Sequence, residues 1–480
     1  APKFPQAPTL EFLLRIADRP WALRAAEMLE ASLEAMARGG IYDHIGGGFA
    51  RYSVDDRWLV PHFEKMLYDN ALLARLYARA FQVTGNPRFE RVARETLGYL
   101  LGDLALPEGG FASAEDADSE GVEGRFYVFT HDEFVDSCGD DAPLAARFFG
   151  VTPAGNFEGT NVLHEAHTAA EVAEAAGVDE RAIERAVAAA KAKLGRLRST
   201  RVRPELDDKA VCAWNGLAVR AFAEAGAVLG DDGYLDVARR TARFVLSELR
   251  RADGRLLRTW RRGTATIPAF ADDYAAVAVG LFSLYEATGE TEWFVAARDL
   301  TQSLIELFWD DEEGGVFATG ADAEELIARP KNLFDNPTPS DNSLAAEALL
   351  YLAALTGDPA ATTRLSAIGR NGGRLLEQAP AAAGHLLAVL ASALTPPVEL
   401  AVVGDPSDPG RQGLCDVVGE RYRPHVFVAL GDGGPSPVPL LTDRPSGPGG
   451  AGLAYVCRGF VCDAPLSDPA ALRDVLEALS

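Results

Sequence analysis

Carboxylates, histidines and aromatic residues gather in a few short stretches of this sequence, and their types suit acid–base chemistry on a hydroxyl-rich molecule. Asp43-His44 and His62-Phe63-Glu64 bring an imidazole beside a carboxylate within one glycine-rich loop. Further on come the acidic run Glu115-Asp116-Ala117-Asp118-Ser119-Glu120, the pair Asp208-Lys209, and Trp214-Asn215. Asp272-Asp273-Tyr274 and Asp341-Asn342 complete the set. Paired carboxylates are what glycoside cleavage needs, one as acid and one as base or nucleophile. Two histidines such as His44 and His62 suit the removal and return of a proton at a sugar carbon. Carboxylates and amides hydrogen-bond hydroxyls, and the faces of Trp and Tyr pack on the apolar side of a sugar ring.

In a hydrolytic arrangement Asp273 is expected to pair with Asp116 or Glu64, with His62 as orienter. In an epimerising arrangement His62 and His44 exchange the proton. His44, Asp69, Glu115, Asp118, Asp208, Lys209, Trp214, Asn215, Asp272, Tyr274, Asp341 and Asn342 are expected to line the substrate. Each has an ordinary structural use as well, since Asp and Asn at helix starts are caps more often than ligands. No metal and no cofactor is expected. His62-x-Glu64 lacks the Pro-Cys-x-x-Cys of a zinc deaminase, and Gly46-Gly47-Gly48 lacks the strand and Lys-Ser/Thr of a phosphate loop. Cys457 and Cys462 are too isolated for a zinc site. Two ordinary thiols are expected there, with a disulfide as the alternative.

Positioning these scattered residues falls to a repeat. Asn70 precedes Gly85 by 15 residues, and the same interval separates Asn215 from Gly230, Tyr274 from Gly289 and Asn342 from Gly357. Just before them stand Asp69, Trp214, Asp273 and Asp341. Each interval carries apolar residues at helical spacing and each glycine precedes a second helix, so the unit is a helical hairpin. Residues 9–38 read as two more helices broken at Pro20. The stretch 121–201 is degenerate: a short strand at 125–129, helices near 132–149 and 169–197, counted together as one irregular hairpin. A helix at about 381–394 finishes the series. Hairpins cannot bury their apolar faces alone, and about six in a closed ring make a mainly α (α/α)6 toroid over 1–394. Residues of one column then sit at one mouth, with the glycine stops roughly 22 Å away at the other. After Pro396-Pro397, apolar runs at 398–403 and 426–430, a third strand at 454–457 and a helix at 468–479 predict a small α/β appendage over 395–480.

Composition narrows the function class. A net charge of −24 over 480 residues argues against nucleic acid and anionic membrane as partners. The longest uncharged run, 378–398, holds three prolines and is rejected as a membrane span. With no signal peptide in the sequence and five sparse cysteines, a reducing cytoplasm is expected.

The motifs GGIYDHIGGGFARYSVDDRWLVPHFEKMLYDNA, FASAEDADSEGVEGRFYVFT, GNFEGTNVL, DDKAVCAWNGL, AFADDYA, TPSDNS and YVCRGFVC closely resemble the bacterial YyaL proteins and their spermatogenesis-associated relatives. The likeness runs along almost the whole chain. It implies a toroid of the six-hairpin glycosidase type, akin to N-acylglucosamine 2-epimerases. It also implies a thioredoxin-like domain as a partner, absent from this sequence, with the opening Ala-Pro-Lys-Phe-Pro falling just beyond it. The matched motifs nominate His62, Glu64, Asp69, Glu115, Asp116, Asp118, Asp208, Lys209, Trp214, Asn215, Asp272, Asp273 and Asn342 without assigning roles. Val211-Cys212-Ala213 departs slightly from the small and hydroxyl residues expected before Trp-Asn. Two functions follow as expectations: a carbohydrate-processing protein, or a non-catalytic or redox-coupled module that binds a client for a thioredoxin-like partner.

Overall fold

The computed structural model describes residues 2–324 and 327–479. Helices α1 (Ala7–Arg15) and α2 (Ala25–Arg38) flank the break at Pro20, and α3 (Leu67–Thr84) and α4 (Pro87–Tyr99) form the first full hairpin. Asn86 caps α4 through its side chain, with Pro87 in the first turn, where a missing N–H costs nothing. An inserted group follows: α5 (His131–Cys138), α6 (Ala142–Phe149), α7 (Ala169–Ala176) and α8 (Glu180–Arg198). The series resumes with α9 (Cys212–Leu229), α10 (Asp232–Glu248), α11 (Ala271–Thr288), α12 (Thr291–Phe308), α13 (Asp341–Thr356), α14 (Pro359–Gln378) and α15 (Gly384–Leu394).

Helices α1, α3, α9, α11, α13 and α15 pack in that order, and α15 returns against α1 to close a ring. Helices α2, α4, α10, α12 and α14 lie outside, each against the inner helix that precedes it. The fold is thus a mainly α toroid, as the repeat predicts, with one correction. Helix α3 packs directly on α9, so the stretch 121–201 is an insertion and not one of the ring's hairpins. Its helices build a core of their own around Phe129, Phe134, Phe149 and Leu194. The strand expected at 125–129 is a turn, because Arg201 Nη1 draws the carbonyls of Arg125, Phe126 and Val128 to one point.

The column of Asn and Tyr proves to be the device that sets the repeat. Asn70 Oδ1 accepts from Phe49 N (2.6 Å), while its Nδ2 donates to the carbonyls of Phe49 and Met66. Asn215 treats Phe111 and Val211 in the same way, and Asn342 treats Val316 and Asn332. At the fourth position Tyr274 Oη accepts from Leu256 N at 2.9 Å. Four of the six inner helices, α3, α9, α11 and α13, therefore clip the loop that closes the preceding hairpin. The clip explains the glycines of those loops. Gly48 and Gly315 have φ of +78° and +80°, and a Cβ there would lie 3.0 and 2.8 Å from the Oδ1 of Asn70 and Asn342. Replacing Asn215 by alanine removes three buried hydrogen bonds, so urea unfolding is expected to report a loss of about 3 kcal/mol. A loss under about 1 kcal/mol would contradict the clip.

A closed circuit of charge fills the bore. Glu11 accepts from Arg15, Arg15 reaches Glu347, and Glu347 takes two hydrogen bonds of 2.8 Å from Arg220. Arg220 then donates to Glu224 (2.8 Å), Glu224 accepts from Arg75 (2.8 Å), and Arg75 returns to Glu11. These residues come from α1, α3, α9 and α13. Helix α11 adds Ser283 beside Glu224, and α15 adds His385, whose Nε2 lies 2.8 Å from Glu347. All six inner helices thus meet at one buried ionic ring.

Beyond Leu394 the chain forms a four-stranded sheet in the order 426–431, 398–403, 453–458, 461–462. The first two strands are parallel and joined through α16 (Pro409–Gly419), while α17 (Pro469–Ala478) packs on α16. This α/β unit sits at the C-terminal ends of the inner helices. Gln82 Nε2 donates to Gly419 O there, and Glu286 Oε1 accepts from Val428 N at 2.8 Å. Strand register places Cys457 opposite Cys462, and the two are disulfide-bonded. That corrects the expectation of two free thiols, and it withdraws the cysteine pattern as support for a reducing compartment.

Candidate functional site at the N-terminal mouth

Two contacts and one electrostatic influence link the N-termini of four inner helices. Tyr68 of α3 meets Trp214 of α9 edge-on, with ring centroids 4.8 Å apart. Ala213 N at the start of α9 donates to Asp273 Oδ1 of α11 at 2.9 Å. Asp272 of α11 acts electrostatically on Asp341 of α13. The first turns that carry Asp69, Trp214, Asp273 and Asp341 therefore lie at one end of the ring.

The carboxyls of that mouth are unlike surface carboxylates. Asp273 is fully buried, and its Oδ2 accepts from Phe270 N and from Arg258 Nη1 at 2.8 Å. Burial, then the neighbouring Asp272, push its pKa up to about 7 against the pull of Arg258. Asp341 rises to about 7 for the same two reasons, although Asn332 Nδ2 donates to it at 2.8 Å. Asp69 is 4% exposed, its Oδ2 has no hydrogen-bond partner, and burial holds its pKa well above the carboxylate range. Arg51 and Glu64, themselves paired at 3.0 Å, are the charged groups that act on it. A carboxyl protonated at neutral pH donates a proton, and one titrating near 7 both gives and takes it.

The other predicted residues are placed differently. His62 stacks on Tyr52, bonds Glu123 through Nδ1 at 2.7 Å and stands 3.7 Å from Glu64. His44 is buried between Tyr42 and Phe149, its Nε2 is 2.9 Å from Gly39 O, and burial lowers its pKa to about 4. Among the described residues no hydrogen bond or ring contact joins the two histidines, whose partners differ. Asp116 and Asp118 are exposed, in a turn where Asp116 Oδ1 accepts from Ala117 N and in a two-residue strand respectively. Glu115 is buried against Arg203 and Tyr127. Asp208 is engaged by Arg261 and Arg262, and Lys209 by Asp207. The amides of Asn70, Asn215 and Asn342 and the hydroxyl of Tyr274 are spent on backbone, which leaves these residues in the wall rather than facing a ligand.

Sequence reading missed Arg51, Tyr68 and Arg258. Tyr68 sits beside Asp69 and was open to notice. Arg258 arrives on the strand Leu257–Arg261, whose hairpin partner Thr264–Pro268 holds it in place, and no helical spacing announces it. Among the described residues no cluster of His, Cys, Asp and Glu has the make-up of a metal site, and no helix is long and apolar enough to cross a membrane.

An α/α toroid with an acidic mouth edged by aromatics is the class of protein defined by this fold and site. No family model matches the sequence. Spermatogenesis-associated protein 20 of Homo sapiens is 34% identical over 523 residues, which cover 99% of this chain and 66% of that protein. Uncharacterized protein B0495.5 of Caenorhabditis elegans is 30% identical over 514 residues, covering 97% and 69%. The chain belongs to the spermatogenesis-associated protein 20 family, and it spans 66% of the length of the human relative. Among solved structures, a D-mannose isomerase matches at a TM-score of 0.37 and 14% identity, covering 72% of this chain and 86% of that one. The unsaturated glucuronyl hydrolase of Bacillus sp. GL1 gives 0.38 and 15%, covering 65% and 66%. At these values neither residues nor activity are carried across.

Proposed function

We propose that the N-terminal mouth binds a carbohydrate and acts on it by general acid–base catalysis. Asp69 serves as the protonated acid, Asp273 as the group that exchanges a proton near neutral pH, and Asp341 supports it. Arg51 and Arg258 hold developing negative charge, and Trp214 with Tyr68 gives an aromatic edge for a sugar ring. His62 and Glu64 flank Asp69 as orienting groups. The carrying observation is that three carboxyls in the first turns of inner helices are buried with raised proton affinity. Thermal melts with a panel of mono- and disaccharides, followed by product analysis, test this. At least one sugar is expected to stabilise the chain and be turned over, with Asp69→Asn lowering the rate about 100-fold or more. No sugar binding, or full turnover by folded Asp69→Asn and Asp273→Asn, ends the proposal.

A second reading is redox-coupled client binding, and the Cys457–Cys462 disulfide favours it. Arg444 places Nη2 2.9 Å from Cys462 Sγ and 3.6 Å from Cys457 Sγ, where a guanidinium stabilises a thiolate. Opening the bond takes two electrons from a dithiol, which becomes a disulfide in turn. Titration with dithiothreitol and thiol labelling are expected to open this pair, with Arg444→Gln shifting the midpoint toward stronger reductant. An inert bond, or Cys→Ser variants that behave like the parent, removes this reading.

A further inference from the structure

The ionic ring has a second side. A cavity of about 540 Å³ lies between it and the C-terminal α/β unit. Its floor includes Arg15, Arg75, Arg79, Arg220, Glu224 and Glu347, and its roof includes Tyr422, Arg423 and Phe427. Asp69, Trp214, Asp273 and Asp341 are not in its lining, so this is a different place from the N-terminal mouth.

The charges of its wall do not balance. The ring carries three arginines and three glutamates and is neutral by itself. Arg79 is a fourth guanidinium, sharing Glu224 with Arg75 and Arg220. Half-buried Glu286 is the carboxyl left to offset it, but desolvation pushes its pKa up to about 7, so at neutral pH it holds only part of a charge. On the roof Arg423 is 9% exposed, and its Nε and Nη2 are buried without a hydrogen-bond partner. Its hydrogen bond is a long one, from Nη1 to Val417 O at 3.4 Å. The acidic residues nearby are exposed and occupied, Asp416 with Gln412 and Glu420 with Arg473. Burying a cation without its counter-charge is costly. Arg423 lines the cavity, and its idle Nε/Nη2 edge, closed to solvent in this structure, would take a carboxylate or phosphate in two parallel hydrogen bonds on turning toward a guest. Tyr351, Tyr422 and Phe427 add aromatic wall for an organic body.

We propose that this cavity binds a small organic anion bearing a carboxylate or a phosphate, with Arg423 and Arg79 as its counter-charges. The volume lies within the roughly 300–1,000 Å³ usual for small-molecule sites. Because the wall is shared, the bound anion also fastens the α/β unit to the toroid.

Calorimetric titration and thermal melts of the full chain at low ionic strength, with inorganic phosphate, glucose 6-phosphate and succinate as probes, test this. Saturable binding of at least one probe is expected. Arg423→Gln should weaken it about tenfold or more, Arg423→Lys less, and exposed Arg421→Gln hardly at all. Asp69→Asn, at the opposite mouth, should leave it unchanged whether or not the sugar proposal holds. Preference for glucose 6-phosphate over phosphate supports an organic phosphate, and preference for succinate a carboxylate. Should Arg423→Gln not fold, the same loss is read in Arg79→Gln. No binding by any probe at millimolar concentration overturns the proposal, as does unchanged affinity in a folded Arg423→Gln or abolition by Asp69→Asn.

Discussion

Replacing Glu347 by alanine is expected to cost about 3–5 kcal/mol, a large share of the roughly 5–15 kcal/mol by which domains are stable. Glu347 is 1% exposed and receives hydrogen bonds from Arg15, Arg220 and His385. Its removal leaves two buried guanidiniums, Arg15 and Arg220, with half their counter-charge. Glu347→Gln keeps the shape and two lone pairs and should lose less. The double change Glu347→Leu with Arg220→Met removes charge in a balanced way and should be milder than Glu347→Ala alone. Urea unfolding at neutral pH, followed by far-UV circular dichroism, ranks the three. A single alanine variant within about 1 kcal/mol of the parent would mean that the ring contributes nothing to the fold.

Two sets of carboxyls should pull the stability of the chain in opposite directions as pH changes. Asp273 and Asp341 have their pKa raised from 3.8 to about 7, and Glu286 from 4.5 to about 7. A proton held more tightly in the folded chain stabilises it below the unfolded pKa, and that gain is lost as pH climbs through the folded value. The contribution of these three groups therefore falls between about pH 4 and pH 7, by at most roughly 4 kcal/mol for each, against a rise from buried His44, whose pKa is lowered to about 4. Glu224 and Glu347 have lowered pKa because arginines surround them. Their contribution is present above about pH 4.5 and is lost as the solution is acidified below it. Asp273→Asn should flatten the limb above pH 5 and leave the acid limb intact. Melting temperatures across pH 3–8 decide it, and an unchanged upper limb in that variant would refute the assignment.

How far the sequence alone reaches can be judged from particular residues. The toroid was legible because clip and stop stand at a fixed interval on four of the six inner helices, so Asn70, Asn215, Tyr274 and Asn342 declared the repeat. What that column does was not legible, since an amide that clips a loop and one that binds a sugar demand the same place in a helix. Asp69, Asp273 and Asp341 stand in the first turns of inner helices, where the repeat put them, but Arg51 and Arg258 come from a loop and a strand. Arg75, Arg220 and Glu347 stood in view as lone charges within Ala- and Leu-rich helices. Their partnership exists only once the ring has closed. The insertion was misread for a related reason: nothing local reveals that α3 meets α9 across it. Cys457 and Cys462 pair through a strand register that composition does not express.

The ionic ring also settles a question of traffic. The cavity under the α/β unit ends at Arg15, Arg75, Arg220, Glu224 and Glu347, so the toroid is a vessel with a sealed waist and not a tunnel. Anything entering from the α/β side therefore meets a floor of paired charges and must leave by the side it entered.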